Sequence, residues 1–435
     1  MGILKASIPL FFLLIGIELL WSEWKGRRLS RLNDALSDVS CGVLSQLAGM
    51  FDKALTLGVF IWVATHLRVQ LAAPWLPEWA ERSPLVRGDN GRVAMDGAAL
   101  ASWAVVFVLV DLCYYWSHRC SHEINVLWAG HVVHHQSEEY NLSVALRQAS
   151  LGKLLTWVFY VPLALVGVPW RMFVACHAIN LVYQFVLHTR AVNRLGRPIE
   201  WLLNTPSHHR VHHGVNLKYQ DKNYAGVFMM FDRWFGTFQV EEEEPVYGIT
   251  TPLQSWNPVW ANLQVFAQLG RDLRHTTRWR DKWRLVFGRP GWRPAELGGP
   301  HAKHEVDVTR YEKFDPRIPG VLAAYGLAQF VVASAAALFL LMRATSLPVG
   351  QSVAAAFYVM VALVCVGGVF ERAQWARPLE TARLAVLGLV AAVVAVMGIG
   401  PAALAWGGVA FAVVSVAVLW RYRGALTEPA LASIM

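Results

Sequence analysis

Long apolar stretches alternate with short basic turns along most of the chain, and the reactive side chains collect where those stretches end. A helix that crosses a bilayer needs about 20 mostly apolar residues. Nine stretches approach that pattern: Ile3–Trp21, Cys41–Ala64, Ala98–Trp116, Leu154–Val168, Met172–Leu187, Val321–Met342, Val353–Phe370, Leu384–Ile399 and Ala402–Trp420. The fourth and fifth are short and separated by Gly167, Val168, Pro169 and Trp170, which leaves two full spans or a re-entrant hairpin as alternatives. Lys5 precedes the first apolar run, Ile8–Trp21, and no small-residue cleavage signal follows it. The run therefore reads as a retained span rather than a signal peptide.

Basic residues in short loops set the orientation. Lys25, Arg27, Arg28 and Arg31 follow the first span, Arg372 and Arg377 the seventh, and Arg421 and Arg423 the last. They share one side, expected to be cytoplasmic, if the fourth and fifth stretches form a pair; Arg68, Arg82, Arg87 and Arg92 dissent. The same side receives the polar stretch 189–319. Its charge runs, Glu241–Glu244 and Arg271–Arg284, read mainly as a solvated face. The expected organisation is a catalytic unit over 1–290 with about five spans, a linker over 291–320, and a four-span bundle over 321–423 with almost no polar residues inside its spans.

Composition supports a membrane class. Only 16% of residues are charged, against about 25% in soluble domains. Trp21, Trp62, Trp103, Trp116, Trp157, Trp170 and Trp420 sit beside apolar runs, as interfacial anchors do. The formal charge of +9 comes from residues at the ends of apolar segments, which fits topology signals and anionic headgroups rather than nucleic acid. The five cysteines form no CxxC pair and suggest neither a disulfide framework nor a thiolate metal site.

Most of the 15 histidines fall between His118 and His213. They read His118-x3-His122, His131-x2-His134-His135, a single His188, and His208-His209-x2-His212-His213. Positions i, i+3 and i+4 share a helix face, so each motif is expected to project its histidines together. Neutral imidazole ligates iron, copper, nickel and zinc. Structural zinc needs four ligands, and this set is larger. Two-zinc hydrolysis relies on bridging carboxylates, which are scarce here. A metal transporter would place its site near the bilayer midplane on broken spans, whereas these histidines follow span ends. His66, His275, His301 and His304 stand alone and read as ordinary core or surface residues.

The three motifs beside membrane spans resemble the fatty acid hydroxylase/sterol desaturase superfamily. The flanks resemble its alkylglycerol monooxygenase branch: Asp111-Leu-Cys-Tyr-Tyr-Trp-Ser-His118, Trp128-Ala-Gly-His131 through Arg147-Gln, Asn204-Thr-Pro-Ser-His208, Asp221-Lys-Asn-Tyr-Ala-Gly and Phe231-Asp-Arg-Trp-Phe-Gly-Thr-Phe. The resemblance implies an all-α polytopic bundle carrying a cytoplasmic histidine-rich metal-binding cap. It also implies two irons, O₂ as oxidant, and His118, His122, His131, His134, His135, His188, His209, His212 and His213 as ligands. Gln184 stands where some relatives place a further histidine, and His208 is expected behind the ligands. His177 lies on the same helix face as Gln184 and His188.

Glu123 carries two readings, an ion pair with Arg119, Arg147 or Arg210, or a role at a reductant site that would also use Arg147; the branch uses tetrahydrobiopterin. Asp111, an acid inside an apolar span, is expected to orient a ligand imidazole, as are Asn223 and Tyr224. The implied reaction is hydroxylation of an alkyl ether lipid next to the ether oxygen, with a fatty acyl chain, sterol or carotenoid as alternative substrates. Electrons come from outside, from a pterin, a ferredoxin or a b5-like protein, because no His-Pro-Gly-Gly segment or dinucleotide fingerprint is present. The sequence leaves the oligomeric state open.

Overall fold

The computed structural model describes residues 2–67, 85–87, 93–301, 311–344 and 346–426. Among them the regular elements are helices apart from one two-stranded ribbon, Leu85–Arg87 with Val93–Met95, and two isolated bridges, joined by irregular segments. The principal helices are α1 (Gly2–Trp24), α2 (Leu32–His66), α3 (Gly97–Glu123), α4 (Trp170–Phe185), α5 (Pro206–His213), α6 (Pro258–His275), α7 (Trp279–Phe287), α8 (Gly320–Arg343), α9 (Val349–Phe370), α10 (Ala376–Val396) and α11 (Ala402–Arg421). Arg68, Arg82, Arg92 and His304 lie outside the described residues.

Among the described residues, six helices, α1, α3 and α8 to α11, are long and apolar enough to cross a membrane. Their outward positions are apolar too: Leu13, Leu20, Val331, Phe339, Val390, Leu404 and Val413 are exposed, and Val396 is 80% exposed. An apolar surface of that extent needs lipid against it. α2 runs from 32 to 66 with a 44° bend between Asp52 and Leu55, and adds a seventh crossing if it is one broken span. Its first half is lined with buried polar side chains, Asp34, Ser37, Asp38, Ser40 and Ser45. That half packs under the histidine segment rather than against lipid.

The two short stretches resolve into a hairpin. The first breaks into Gly152–Thr156, a 3-10 turn Trp157–Tyr160, and Val161–Leu165; the second is α4, with 16 residues. At 1.5 Å per residue α4 reaches about 24 Å, short of a hydrocarbon core about 30 Å thick. Gly167, at φ +83°, and Pro169 turn the chain between them. Neither stretch forms a single helix long and apolar enough to cross a membrane.

The C-terminal helices differ from expectation in one respect. α10 starts eight residues before Leu384 and brings Glu380 and Arg383 inside the bundle, 1% and 6% exposed. Each charged atom is satisfied. Glu380 accepts from Tyr325 and from Arg383 Nε and Nη2, while Arg383 also donates to Tyr358 and Gln329, and Gln329 donates to Ser415. α8 and α9 share an apolar core with Leu36, Leu44 and Leu47 of α2 and with Trp256.

Candidate metal centre

Four segments converge on one buried layer. α3 is started by Asp96, whose carboxylate accepts from Ala98 N and Ala99 N, and it ends by presenting His118 and His122 one turn apart. After the short helix Asn125–Ala129, a 3-10 turn Val132–His135 follows His131 and carries His134 and His135. His188 follows the C-terminus of α4. α5 opens with Pro206 at its first turn, where no N–H partner is needed, and holds His209, His212 and His213. All eight residues of α5 are buried, so tertiary packing rather than helix propensity maintains it.

The nine predicted histidines meet, and they form two groups rather than one. His118, His122, His131, His135 and His212 bring one ring nitrogen each within 4.8 Å of one another, as do His134, His188, His209 and His213. The partition corrects the expectation that each motif points its histidines together. In the second motif His131 and His135 go to the five-histidine group and His134 crosses to the other. In the third, His209 and His213 join the four-histidine group and His212 crosses back. In each motif the i and i+4 rings stay together while the i+3 ring is exchanged. The exchange occurs both in the 3-10 turn 132–135 and in the α-helix α5, whose rings meet across the layer: His134 and His135 contact His213, and His135 contacts His212.

Backbone carbonyls fix the ring orientations. His118 Nδ1 donates to Tyr224 O, His134 Nδ1 to Arg147 O, His188 Nδ1 to Gln184 O and His212 Nδ1 to Lys222 O, all at 2.9–3.0 Å. A carbonyl only accepts, so Nδ1 carries the proton and Nε2 carries a lone pair. His134 Nε2 and His188 Nε2 then face each other at 3.2 Å, two acceptors at hydrogen-bond distance. Such a contact is repulsive unless a cation lies among them. Nε2 of His122, His212 and His213 is buried without a partner, a costly arrangement unless a ligand is bound. The donor set thus fits metal ions.

Burial supports the same protonation state. It pushes His134 down to about 4 and His212 to about 3, and holds His131, His135, His209 and His213 well below their ordinary value. Neutral imidazole is the ligating form.

The remaining predicted residues sit elsewhere. Asp111 is buried but touches no imidazole; it accepts from Asn180 Nδ2, Val227 N and Phe228 N, and so fixes the loop beyond Tyr224. Asn223, at φ +55°, donates to His208 O and Gln239 O and accepts from Gln239 N. It shapes the turn that supplies the Lys222 and Tyr224 carbonyls. Arg147 is 1% exposed and spends its guanidinium on Val133 O, Ser37, Asp38 and Gln136. It braces the 3-10 turn and presents no open face to a cofactor, contrary to expectation. Glu123 pairs with Arg119 at 3.0 Å and stays 28% exposed at the rim. Gln184 is occupied by Tyr114 and Asn180 and contributes only its carbonyl. His208 contacts Thr205 and Phe238, and His177 packs between Tyr160 and Phe173; both lie outside the two groups.

Three supports were not anticipated. Arg210 forms a two-pronged pair with Glu241 and also donates to Thr189 O and Val192 O, locking α5 to the segment after His188. Asp232 accepts from Tyr224 N and Ala225 N. Glu18 of α1 accepts from Leu142 N and from Thr189. Asp232 and Glu18 are acids inside apolar stretches, the signal that singled out Asp111.

Residues 103–237 match the family model described as fatty acid hydroxylase. The chain is 35% identical to an alkylglycerol monooxygenase of Xenopus tropicalis, over 87% of this chain and 79% of that protein. It is 38% identical to one of Homo sapiens, over 75% and 68% respectively, and 34% identical to one of Danio rerio, over 88% and 81%. No solved structure matches the chain. With that similarity extending over most of its length, the chain belongs to the fatty acid hydroxylase family, in its alkylglycerol monooxygenase branch, and is a multi-pass membrane oxidoreductase of the monooxygenase class.

Proposed function

We propose that the chain is an O₂-dependent lipid monooxygenase that holds two irons, one in each histidine group, and hydroxylates an alkyl ether lipid beside the ether oxygen. The observation that carries the two-metal part is the pair of adjacent, all-imidazole groups with lone pairs turned toward one another. The substrate rests on the relatives named alkylglycerol monooxygenase. Bound iron would supply the activation of O₂ that attack on an unactivated C–H bond requires.

The chain's own residues have simpler tasks. His118, His122, His131, His135 and His212 would hold one iron; His134, His188, His209 and His213 the other. The carbonyls of Tyr224, Arg147, Gln184 and Lys222 hold ring tautomers and directions, the support that ligand imidazoles generally need. Burial excludes bulk water. Oxygen inserted between carbon and hydrogen gives a hemiacetal; the second oxygen atom leaves as water and consumes two electrons and two protons. The hemiacetal releases the glycerol oxygen and leaves an aldehyde.

The electrons come from a pterin, a ferredoxin or a b5-like protein, and the half-exposed Arg119–Glu123 pair beside His122 is the polar rim offered to such a donor. The cytoplasmic side is favoured by Lys25, Arg27, Arg28 and Arg31, which follow α1 on the histidine side; Arg31 pairs there with Glu138 and Glu139.

Turnover of an alkylglycerol by detergent-purified protein under ¹⁸O₂ tests this reading, with borohydride trapping the product. An aldehyde-derived alcohol carrying ¹⁸O, beside unlabelled glycerol, is expected. Stable hydroxylation of a fatty acyl chain, sterol or carotenoid, with the ether left intact, would move the substrate to that class. An unlabelled product would overturn the oxygenase reading.

A further inference from the structure

Away from the metal centre, α7 exposes an apolar stripe. Trp279, Trp283 and Phe287 stand at i, i+4 and i+8 on one helix face, and are 74%, 62% and 54% exposed. Trp283 stacks on Phe287 at 5.1 Å, and Leu273 and Val286 complete the patch. The opposite face buries Leu285 against the protein. Basic residues border the stripe: Lys282 lies over the Trp279 ring, Arg280 flanks the other edge, and Arg274 and Arg278 precede it. Asp281 is the single acid in the helix. On α6, Trp260 and Leu263 are exposed as well.

Two tethers set the height of this hairpin. Asn125, two residues beyond the end of α3, donates from its backbone to Gly288 O and from its side chain to Leu285 O. The end of α7 therefore sits where α3 ends. Glu371, the residue after α9, accepts from Ser255 Oγ, Trp256 N and Asn257 N, which fixes the start of α6 where α9 ends. Both α3 and α9 are apolar enough to cross a membrane. The hairpin is thus strung between two span ends, at the level where hydrocarbon gives way to headgroups.

We propose that the Trp279–Trp283–Phe287 face of α7 lies in the plane of the membrane surface and docks on anionic lipid headgroups. The aromatic rings sit at the depth that tryptophan favours, and the basic border meets the negative charge. The surface is continuous with the lipid that surrounds α3 and α9, so no additional protein is needed to cover the stripe. The inference rests on the spans and is independent of the metals and the substrate.

The test is ¹⁹F NMR of full-length protein labelled with fluorotryptophan, in vesicles of phosphatidylcholine with phosphatidylglycerol. Trp279→Phe and Trp283→Phe assign the two resonances. Both are expected to broaden with doxyl-labelled lipid and to be protected from an aqueous gadolinium chelate. Reversing charge with Arg280→Glu and Lys282→Glu is expected to lower the lipid broadening at least about twofold. Broadening by gadolinium alone would place the face in water, and shielding from both probes would mean that protein covers it; either overturns the proposal. Unchanged lipid broadening in the charge-reversed variant would overturn the anionic-headgroup part.

Discussion

Two regions of this molecule bury polar side chains among apolar helices, and they do it in opposite ways. In the C-terminal bundle, Glu380 and Arg383 are closed by Tyr325, Gln329 and Tyr358, with every charged atom paired inside the protein. In the histidine layer the outer nitrogens are tied to carbonyls, while inner nitrogens of His122, His212 and His213 have no partner. A saturated buried network holds helices together, whereas an unsaturated one with fixed orientation is built to receive something. Burial and polarity are common to both; the distinguishing feature is which atoms are left open.

That contrast can be attacked directly, and the largest effect is expected in the unsaturated layer. Replacing His131 or His209 by Ala should reduce monooxygenase turnover by more than about 100-fold, with detergent-solubilised fold retained by circular dichroism. Turnover within a few-fold of the parent would remove these rings from the metal centre. In the saturated network the loss should instead be one of stability. Arg383→Met leaves Glu380 buried and unpaired and should cost about 3–5 kcal/mol in denaturant unfolding, with the metal content of the folded fraction unchanged. Metal loss without destabilisation would break the comparison.

Asp111 lies between the two types. Asp111→Asn should weaken the hold on Val227 N and Phe228 N and lower metal affinity about 10- to 100-fold through the Tyr224 carbonyl. Chelator competition measures this, and an unaltered affinity would confine Asp111 to packing. The pH response sharpens the same point in metal-free protein. His134 and His212 fall to about 4 and 3 when folded, so below pH 6.5 the unfolded chain takes up protons that the folded chain refuses. Stability should therefore fall as pH drops from 6.5, by about 1.4 kcal/mol per such proton per pH unit. Flat stability across that window would contradict the buried neutral state. The smallest effect is expected for His208→Ala, with metal content unchanged, because its ring faces Thr205 and Phe238.

Spacing made eight of the histidines legible as three clustered motifs, while His188, which stands alone, came only with the family resemblance. The sequence did not reveal their division. The same division arises in the 3-10 turn 132–135 and in the α-helix α5, so it rests on how the two segments face each other, and a residue pattern alone does not show contacts between positions so far apart in the chain. Asp111 was visible as an acid in an apolar span, yet its partners are the Asn180 amide and the backbone N–H groups of Val227 and Phe228, all distant in the chain, and not an imidazole. Arg147 was placed at a reductant site through the resemblance, or opposite Glu123, whereas its partner is Asp38, far earlier in the chain. The Glu380–Arg383 pair was missed because α10 extends beyond the purely apolar run, its charges compensated by side chains from α8 and α9.

The central claim, one metal in each histidine group, is most directly tested by iron content and anaerobic Mössbauer spectroscopy of the detergent-purified chain. His134→Ala opens the four-histidine group and His212→Ala the five-histidine group. The account predicts near two irons in the parent, with a different site depleted in each variant. A single iron, stable zinc without iron uptake, or full retention in both variants would contradict it.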